Sequence, residues 1–229
     1  MAIAHTIKPI AYIKNGYSSK FGIPRQPGLV PEALSVIIFE EEYRIPEAIR
    51  GIEEYSHLWL IWQFSEAIRE DFSPTVRPPR LGGNKRVGVF ATRSPFRPNS
   101  LGLSSVKLIE IKHTKDFGDV LVVSGADLMD GTPIYDIKPY VRYSDSHPDA
   151  ISGFADDFEN YSLDVNIADE WLNIMPDEDK KAVLGILSQD PRPSYHEDTE
   201  RIYTFDYNGL SVSFKVDGKA LTVTEIRRT

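Results

Sequence analysis

The first two thirds of the chain are built from short runs of β-branched and aromatic residues cut by turn formers. Thr6–Ile13, Leu34–Glu40, Ser56–Phe64, Arg86–Thr92, Gly102–Ile111, Val120–Ala126 and Ile137–Tyr143 have the composition of strands. Asn15-Gly16, Gly82-Gly83-Asn84 and Asp130-Gly131-Thr132-Pro133 separate them as turns. Pro46–Gly51, with proline in its first turn and a closing glycine, predicts a short helix. The unbroken apolar run from His57 to Phe64 predicts a strand buried on both faces. Many strands with so little helix between them favour a closed barrel or a sandwich.

The pattern changes near residue 145. Residues 144–158 are polar, acidic and turn-prone, as in a linker. Helical spacing follows: Ile167, Trp171 and Ile174 share one face, and Val183, Leu184 and Leu187 another. Asp177-Glu178-Asp179 after Pro176 suits a helix N-terminus. A proline-stiffened loop, Gln189-Asp190-Pro191-Arg192-Pro193-Ser194-Tyr195, leads to three strands, Arg201–Tyr207, Leu210–Val216 and Ala220–Ile226. Asn208-Gly209 and Asp217-Gly218 are hairpin turns. The expected organisation is mainly β: a β-barrel unit over residues 5–147, then a small α+β unit over 151–229. If the first unit is independent, a chain ending near Pro148 keeps its ligand.

Composition removes several classes. The 229 residues include no cysteine, which excludes disulfides and thiolate metal sites. The five histidines have no ligand spacing, and no metal is expected. No apolar run approaches the roughly 18 residues of a membrane span, and the N-terminal residues lack a signal-peptide core, so a cytoplasmic protein without membrane contact is expected. No dinucleotide or P-loop glycine motif and no nucleophile elbow is present. The formal net charge is −8, which alone argues against nucleic acid. The charge is segregated, however. Residues 72–109 hold no acid and seven bases, whereas residues 143–179 hold eleven acids and no lysine or arginine. Such segregation gives either a basic patch on an acidic protein or two solvated faces.

Three segments carry chemical signal. In Arg93-Ser94-Pro95-Phe96-Arg97-Pro98-Asn99, two prolines fix two arginines and an asparagine ahead of a strand, and Arg97 offers a planar fork for carboxylate or phosphate. A β-turn capped by the asparagine is the plain alternative. Pro24-Arg25-Gln26, in a proline-ordered loop, is a candidate ligand wall or a surface connection. Asp127 to Tyr140 gathers three acids, a lysine and two tyrosines around a turn, suited to a cationic or adenine-bearing ligand, although Asp127 and Asp130 equally suit turn formation.

These segments, with Arg77-Pro78-Pro79-Arg80-Leu81-Gly82-Gly83-Asn84 and the distal Gln189–Tyr195 motif, resemble the TsaA-like family over about Thr6 to Tyr195. Within it, the resemblance is to bacterial enzymes that N6-methylate threonylcarbamoyladenosine next to the tRNA anticodon. It implies a methyltransferase β-barrel, a homodimer, tRNA as substrate, and S-adenosylmethionine as cofactor near the dimer interface. The cofactor residues carried over by motif are Pro24, Arg25, Gln26, Ser65, Glu66, Arg93, Leu103, Asp130, Gly131, Thr132 and Pro133. A urea-like nitrogen is a weak nucleophile, so methyl transfer to it calls for a nearby base or hydrogen-bond acceptor. Asp136 is the candidate, with Tyr195 second, and Lys138 or Arg97 is expected to hold the threonyl carboxylate. A non-catalytic nucleic-acid-binding protein and a small-molecule methyltransferase are the rival readings.

Overall fold

The computed structural model describes residues 5–68, 71–192 and 198–229. Eight strands precede residue 140: β1 (Ala11–Lys14), β2 (Leu34–Phe39), β3 (His57–Gln63), β4 (Thr75–Val76), β5 (Val87–Gly88), β6 (Leu101–Thr114), β7 (Gly118–Ser124) and β8 (Pro133–Pro139). Six of them form one sheet in the order β1-β2-β7-β6-β3-β8, and β8 pairs back onto β1, so the sheet closes on itself. Every pairing within it is antiparallel. The remaining two, β4 and β5, make a separate small ribbon.

Closure sets which side chains point inward. Ile13, Ile37, Leu58, Leu60, Val106, Leu121, Val123 and Ile134 fill the interior with 1% exposure or less. The apolar run in β3 is not buried on both faces. Leu58, Leu60 and Trp62 are buried, while His57, Trp59, Ile61 and Gln63 alternate with them half-exposed on the outside, as a one-sided strand requires. Strand limits also move. Ile137–Tyr143 was the expected strand, but pairing starts at Pro133, where a missing N–H is tolerated at the first strand position. Of Thr6–Ile13 only the end pairs, and Arg86–Thr92 contributes two strand residues before turning at Val89–Ala91.

The rest of the chain runs α1 (Arg142–Asp145), β9 (Asp164–Asn166), α2 (Asp169–Leu172), α3 (Asp177–Ser188), β10 (Tyr203–Tyr207), β11 (Leu210–Asp217) and β12 (Ala220–Arg228). The last three strands form an antiparallel meander, and β9 joins its β12 edge in parallel. α3 buries Val183 and Leu187 as expected, but Leu184 faces outward at 37% exposure, and Ile186 completes the buried stripe. Asp179, in its acidic first turn, is buried and accepts a hydrogen bond from Asn208 Nδ2 at 2.7 Å. No helix among the described residues is long and apolar enough to cross a membrane.

The packing boundary differs from the compositional one. Tyr17, Val30 and Ala33, all from the loop between β1 and β2, are buried in the same core as Val183, Phe205, Phe214 and Ile226. Burying Val30 and the ring of Tyr17 contributes roughly 1.5–3 kcal/mol each. The loop carrying Pro24-Arg25-Gln26 is therefore held by the second unit as much as by the first.

Candidate functional site

Three loops meet beyond the end of β3. The first is the β1–β2 loop just described. The second, between β5 and β6, is fixed by Arg97, whose Nη1 donates to the Thr92 carbonyl at 2.6 Å and the Val89 carbonyl at 3.3 Å. Arg97 thus anchors one Nη on two carbonyls of its own loop. This brace orients Arg93, whose Nη1 donates to Gln26 Oε1 at 2.5 Å and so joins the two loops. The third is the turn after β3. Lys20 Nζ donates to the Glu66 carbonyl at 2.9 Å and lies 3.5 Å from its carboxylate, which ties Ser65-Glu66 to the first loop.

Asp130-Gly131-Thr132-Pro133 forms a second border. The Asp130 carboxylate accepts from the Asn15 backbone N–H at 2.8 Å, Gly131 N–H donates to the Ile13 carbonyl, and Thr132 Oγ1 donates to the Met129 carbonyl. Gly131 takes φ +75°, which glycine adopts without a Cβ penalty. Asp130 therefore acts as a turn former here, and the N–H groups of Asp130, Gly131 and Thr132 are spent on the carbonyls of Tyr17, Ile13 and Met129.

Between these borders lies a polar chain that sequence reasoning did not assemble. Trp62 Nε1 donates to Ser104 Oγ at 2.9 Å, and Ser104 Oγ donates to Asp127 Oδ1 at 2.5 Å. Burial pushes the Asp127 carboxyl up to about 6, against the opposing pull of the Ser104 hydrogen bond and the nearby Arg93 charge. A serine at an inward position of β6, where alternation calls for an apolar residue, was the signal available in the sequence. Gly102 is required by the same chain, because any Cβ there would overlap the Trp62 indole.

Two of the candidate catalytic residues, Asp136 and Lys138, lie on the outer face of the sheet, on β8. Register aligns Asp136 of β8 with Ile61 of β3, and Ile61 with Leu103 of β6. Asp136 and Leu103 thus share one cross-strand row, four residues before Ser65. A bulge at Ile61/Trp62 leaves Tyr135 as the extra residue, and its hydroxyl donates to Gln63 Oε1 at 2.5 Å. Asp136 Oδ1 accepts from the Ile137 N–H at 2.9 Å, and Oδ2 is 3.0 Å from Lys138 Nζ. Lys138 is thereby paired with the candidate acceptor. Leu103 is 55% exposed, beside half-exposed Ile61 and Trp59.

Arg25 reaches elsewhere. Its Nη2 donates to the Arg192 carbonyl at 2.5 Å and to the Asp190 carbonyl at 3.4 Å. Asp190, at φ +50°, grips Arg192 with both oxygens (2.8 and 3.0 Å) and accepts from Tyr161 at 2.9 Å. Burial raises the Asp190 carboxyl, but these donors outweigh it and hold it below the ordinary value. Tyr195 lies outside the described residues.

Fold and site together define a class: a mainly β protein that presents joined arginine–glutamine loops above a closed sheet, with an α+β unit locked to one of those loops. The sequence model of the tRNA-methyltransferase O N-terminal domain matches residues 12–146, and that of the TrmO C-terminal domain matches residues 162–229. The tRNA (adenine(37)-N6)-methyltransferase of Escherichia coli strain K12 is 40% identical over 215 residues, 90% of this chain and 91% of that one. A putative S-adenosylmethionine-dependent methyltransferase of Pseudomonas aeruginosa, RcsF, is 39% identical over 206 residues, 85% of each chain. A crystal structure of TrmO from P. aeruginosa superposes with a TM-score of 0.82 at 31% identity, covering 100% of this chain and 99% of that one. The chain belongs to the TrmO family.

Proposed function

We propose that the chain is an S-adenosylmethionine-dependent methyltransferase that N6-methylates threonylcarbamoyladenosine beside the anticodon of tRNA. The observation that carries this reading is the Arg93–Gln26 junction beside the half-buried Asp127 carboxyl, in a chain whose E. coli relative is named a tRNA (adenine(37)-N6)-methyltransferase. The closed sheet is read as the methyltransferase barrel of the TsaA-like proteins. The first unit, residues 5–147, is assigned to cofactor binding, and the second, 151–229, to gripping tRNA and completing the site.

The residues present fit the cofactor. A partly enclosed carboxylate (Asp127), an amide oxygen (Gln26) and a guanidinium (Arg93) match its cationic and carboxylate parts, and the exposed Asp130-Gly131 turn is assigned to the adenine. Pro24, Ser65, Glu66 and Leu103 complete the wall. When bound, S-adenosylmethionine supplies an electrophilic methyl group on a sulfonium. The chain's own contribution is alignment and proton handling. Asp136, held by Ile137 N–H and Lys138, is assigned as the acceptor of the substrate N–H. Asp136 is assigned to take the N–H proton that must leave as the nitrogen gains its methyl group, with Lys138 also placed to meet the threonyl carboxylate. Arg97 is assigned to holding Arg93 in place through its loop.

The outer row of Leu103, Ile61 and Trp59 is exposed apolar surface beside Asp136. We assign it to a homodimer contact that closes the site. The assigned compartment is the cytoplasm, where tRNA is found. The test is transfer of labelled methyl from S-adenosylmethionine to tRNA with and without the threonylcarbamoyl group. Incorporation only into the modified tRNA is expected. Equal incorporation into both, or calorimetry showing no cofactor binding, refutes the reading.

A further inference from the structure

Arg80 sits on a single 3-10 turn, Pro79–Leu81, within the acid-free stretch 72–109. Its guanidinium lies over the Phe158 ring, 4.7 Å from the centroid. That contact orients the fork, and among the described residues no hydrogen bond takes up its N–H edge. Among the described residues, Arg80 makes no ion pair with a carboxylate. Its charged neighbours are Arg25 and Asp190. Burial and the like charge of Arg80 both push the Arg25 guanidinium below its ordinary value, and burial does the same to Arg80. Three guanidinium groups, Arg25, Arg80 and Arg192, therefore converge on one carboxylate. Asp190 is already saturated by Arg192 and Tyr161. They line a cleft of about 440 Å³ between the two units, together with Phe158, Tyr161 and Thr199. That volume lies within the ~300–1,000 Å³ of pockets that hold discrete ligands.

The cleft is the wrong place for S-adenosylmethionine, which carries a sulfonium and an ammonium against one carboxylate. It suits an anion with a planar, bidentate edge. The surroundings indicate which one. The same acid-free stretch bears a stacked pair, Phe72 and Phe90 (6.2 Å, 25°), that is 52% and 74% exposed and flanks the β4–β5 ribbon. Exposed aromatic faces on a basic strip are the surface that stacks single-stranded bases.

We propose that the Arg25–Arg80–Arg192 cleft is a phosphate-binding site for the tRNA substrate, in which the Arg80 fork takes a phosphodiester and Phe158 sets its angle. The inference rests on tRNA being the substrate. The cleft borders the acid-free stretch through Arg80 and the acidic stretch 143–179 through Phe158 and Tyr161, so a phosphate is drawn to its guanidinium side.

The experiment uses the full-length protein. Binding of tRNA is measured by filter retention between 50 and 200 mM salt for wild type, Arg80→Ala, Arg80→Lys and Phe158→Ala, with S-adenosylmethionine affinity by calorimetry as the folding control. Loss of one phosphate contact lowers the salt slope by about 0.7–0.9 and weakens tRNA binding roughly fivefold to tenfold for Arg80→Ala. Arg80→Lys recovers the slope but not the whole affinity, because it keeps the charge and loses the fork. Phe158→Ala falls between, and cofactor affinity stays within twofold throughout. A slope and affinity equal to wild type in Arg80→Ala overturn the proposal, as does a parallel fall in cofactor affinity. Inorganic phosphate is the second probe: tight binding that tRNA does not displace makes this a small-anion site and also overturns it. Wild-type protein that fails to methylate tRNA refutes the function itself, which is a separate outcome.

Discussion

Asp127→Asn isolates the cost of keeping a carboxylate beneath the site. Burial raises its pKa from the ordinary 3.8 to about 6. An acid raised on folding binds more protons in the folded than in the unfolded chain between those values. Stability therefore falls as pH rises from about 4 to about 6, and the full cost persists above that window. At 1.36 kcal/mol per pH unit the cost approaches 3 kcal/mol, and because Asp127 is not fully enclosed we take roughly 1–3 kcal/mol. Asparagine keeps the shape and still accepts the Ser104 hydroxyl, but it never ionises. For a chain of this length each kcal/mol moves Tm by about 2–4 °C. Thermal melts without cofactor should place Asp127→Asn roughly 2–12 °C above wild type at pH 7.5, with the gap closing near pH 4. The same variant should bind S-adenosylmethionine more weakly by calorimetry, because Arg93 loses its negative neighbour. A Tm difference that is constant from pH 4 to pH 8 would show that ionisation of Asp127 is not the cause, and the reasoning fails.

A chain ending near Pro148 should lose S-adenosylmethionine binding by calorimetry, since Tyr17, Val30 and Ala33 lose their core; undiminished affinity would show the β1–β2 loop to be self-supporting. Arg93→Ala should weaken cofactor binding roughly tenfold with little change in Tm, because it breaks a charge-assisted bond on an exposed loop. Gly102→Ala should cost about 2–3 kcal/mol in urea unfolding by displacing the Trp62 indole, and a wild-type midpoint would contradict that contact. Tyr17→Phe should stabilise the chain by about 1 kcal/mol, since its hydroxyl is buried without a hydrogen-bond partner among the described residues; destabilisation would reveal a partner.

Periodicity placed most strands, because inward and outward residues alternate wherever one face is buried. It misplaced their ends, which depend on the neighbouring strand. β8 starts at Pro133 because Ala11 and Tyr12 of β1 pair there, and nothing local announces that. β9 is three residues against β12 and has no signature of its own. At the site, the proline-fixed arginine segment was legible as unusual, but not that Arg97 turns inward while Arg93 reaches Gln26, 67 residues away. Arg25 was identified as a wall residue, yet its partners lie 165 and 167 positions downstream. Ser104 was the missed clue.

The dependence of the β1–β2 loop on residues as late as Ile226 bears on how the protein is made. A ribosome adding about 5–20 residues per second delivers Ile226 roughly 10–40 s after Ala33. During that interval the closed sheet can form and offer the loop Arg93, Glu66 and Gly125, but the core that buries Tyr17, Val30 and Ala33 is still missing. The β1–β2 loop is thus settled on both sides only once the last strand has emerged, which makes its ordering one of the final events of folding.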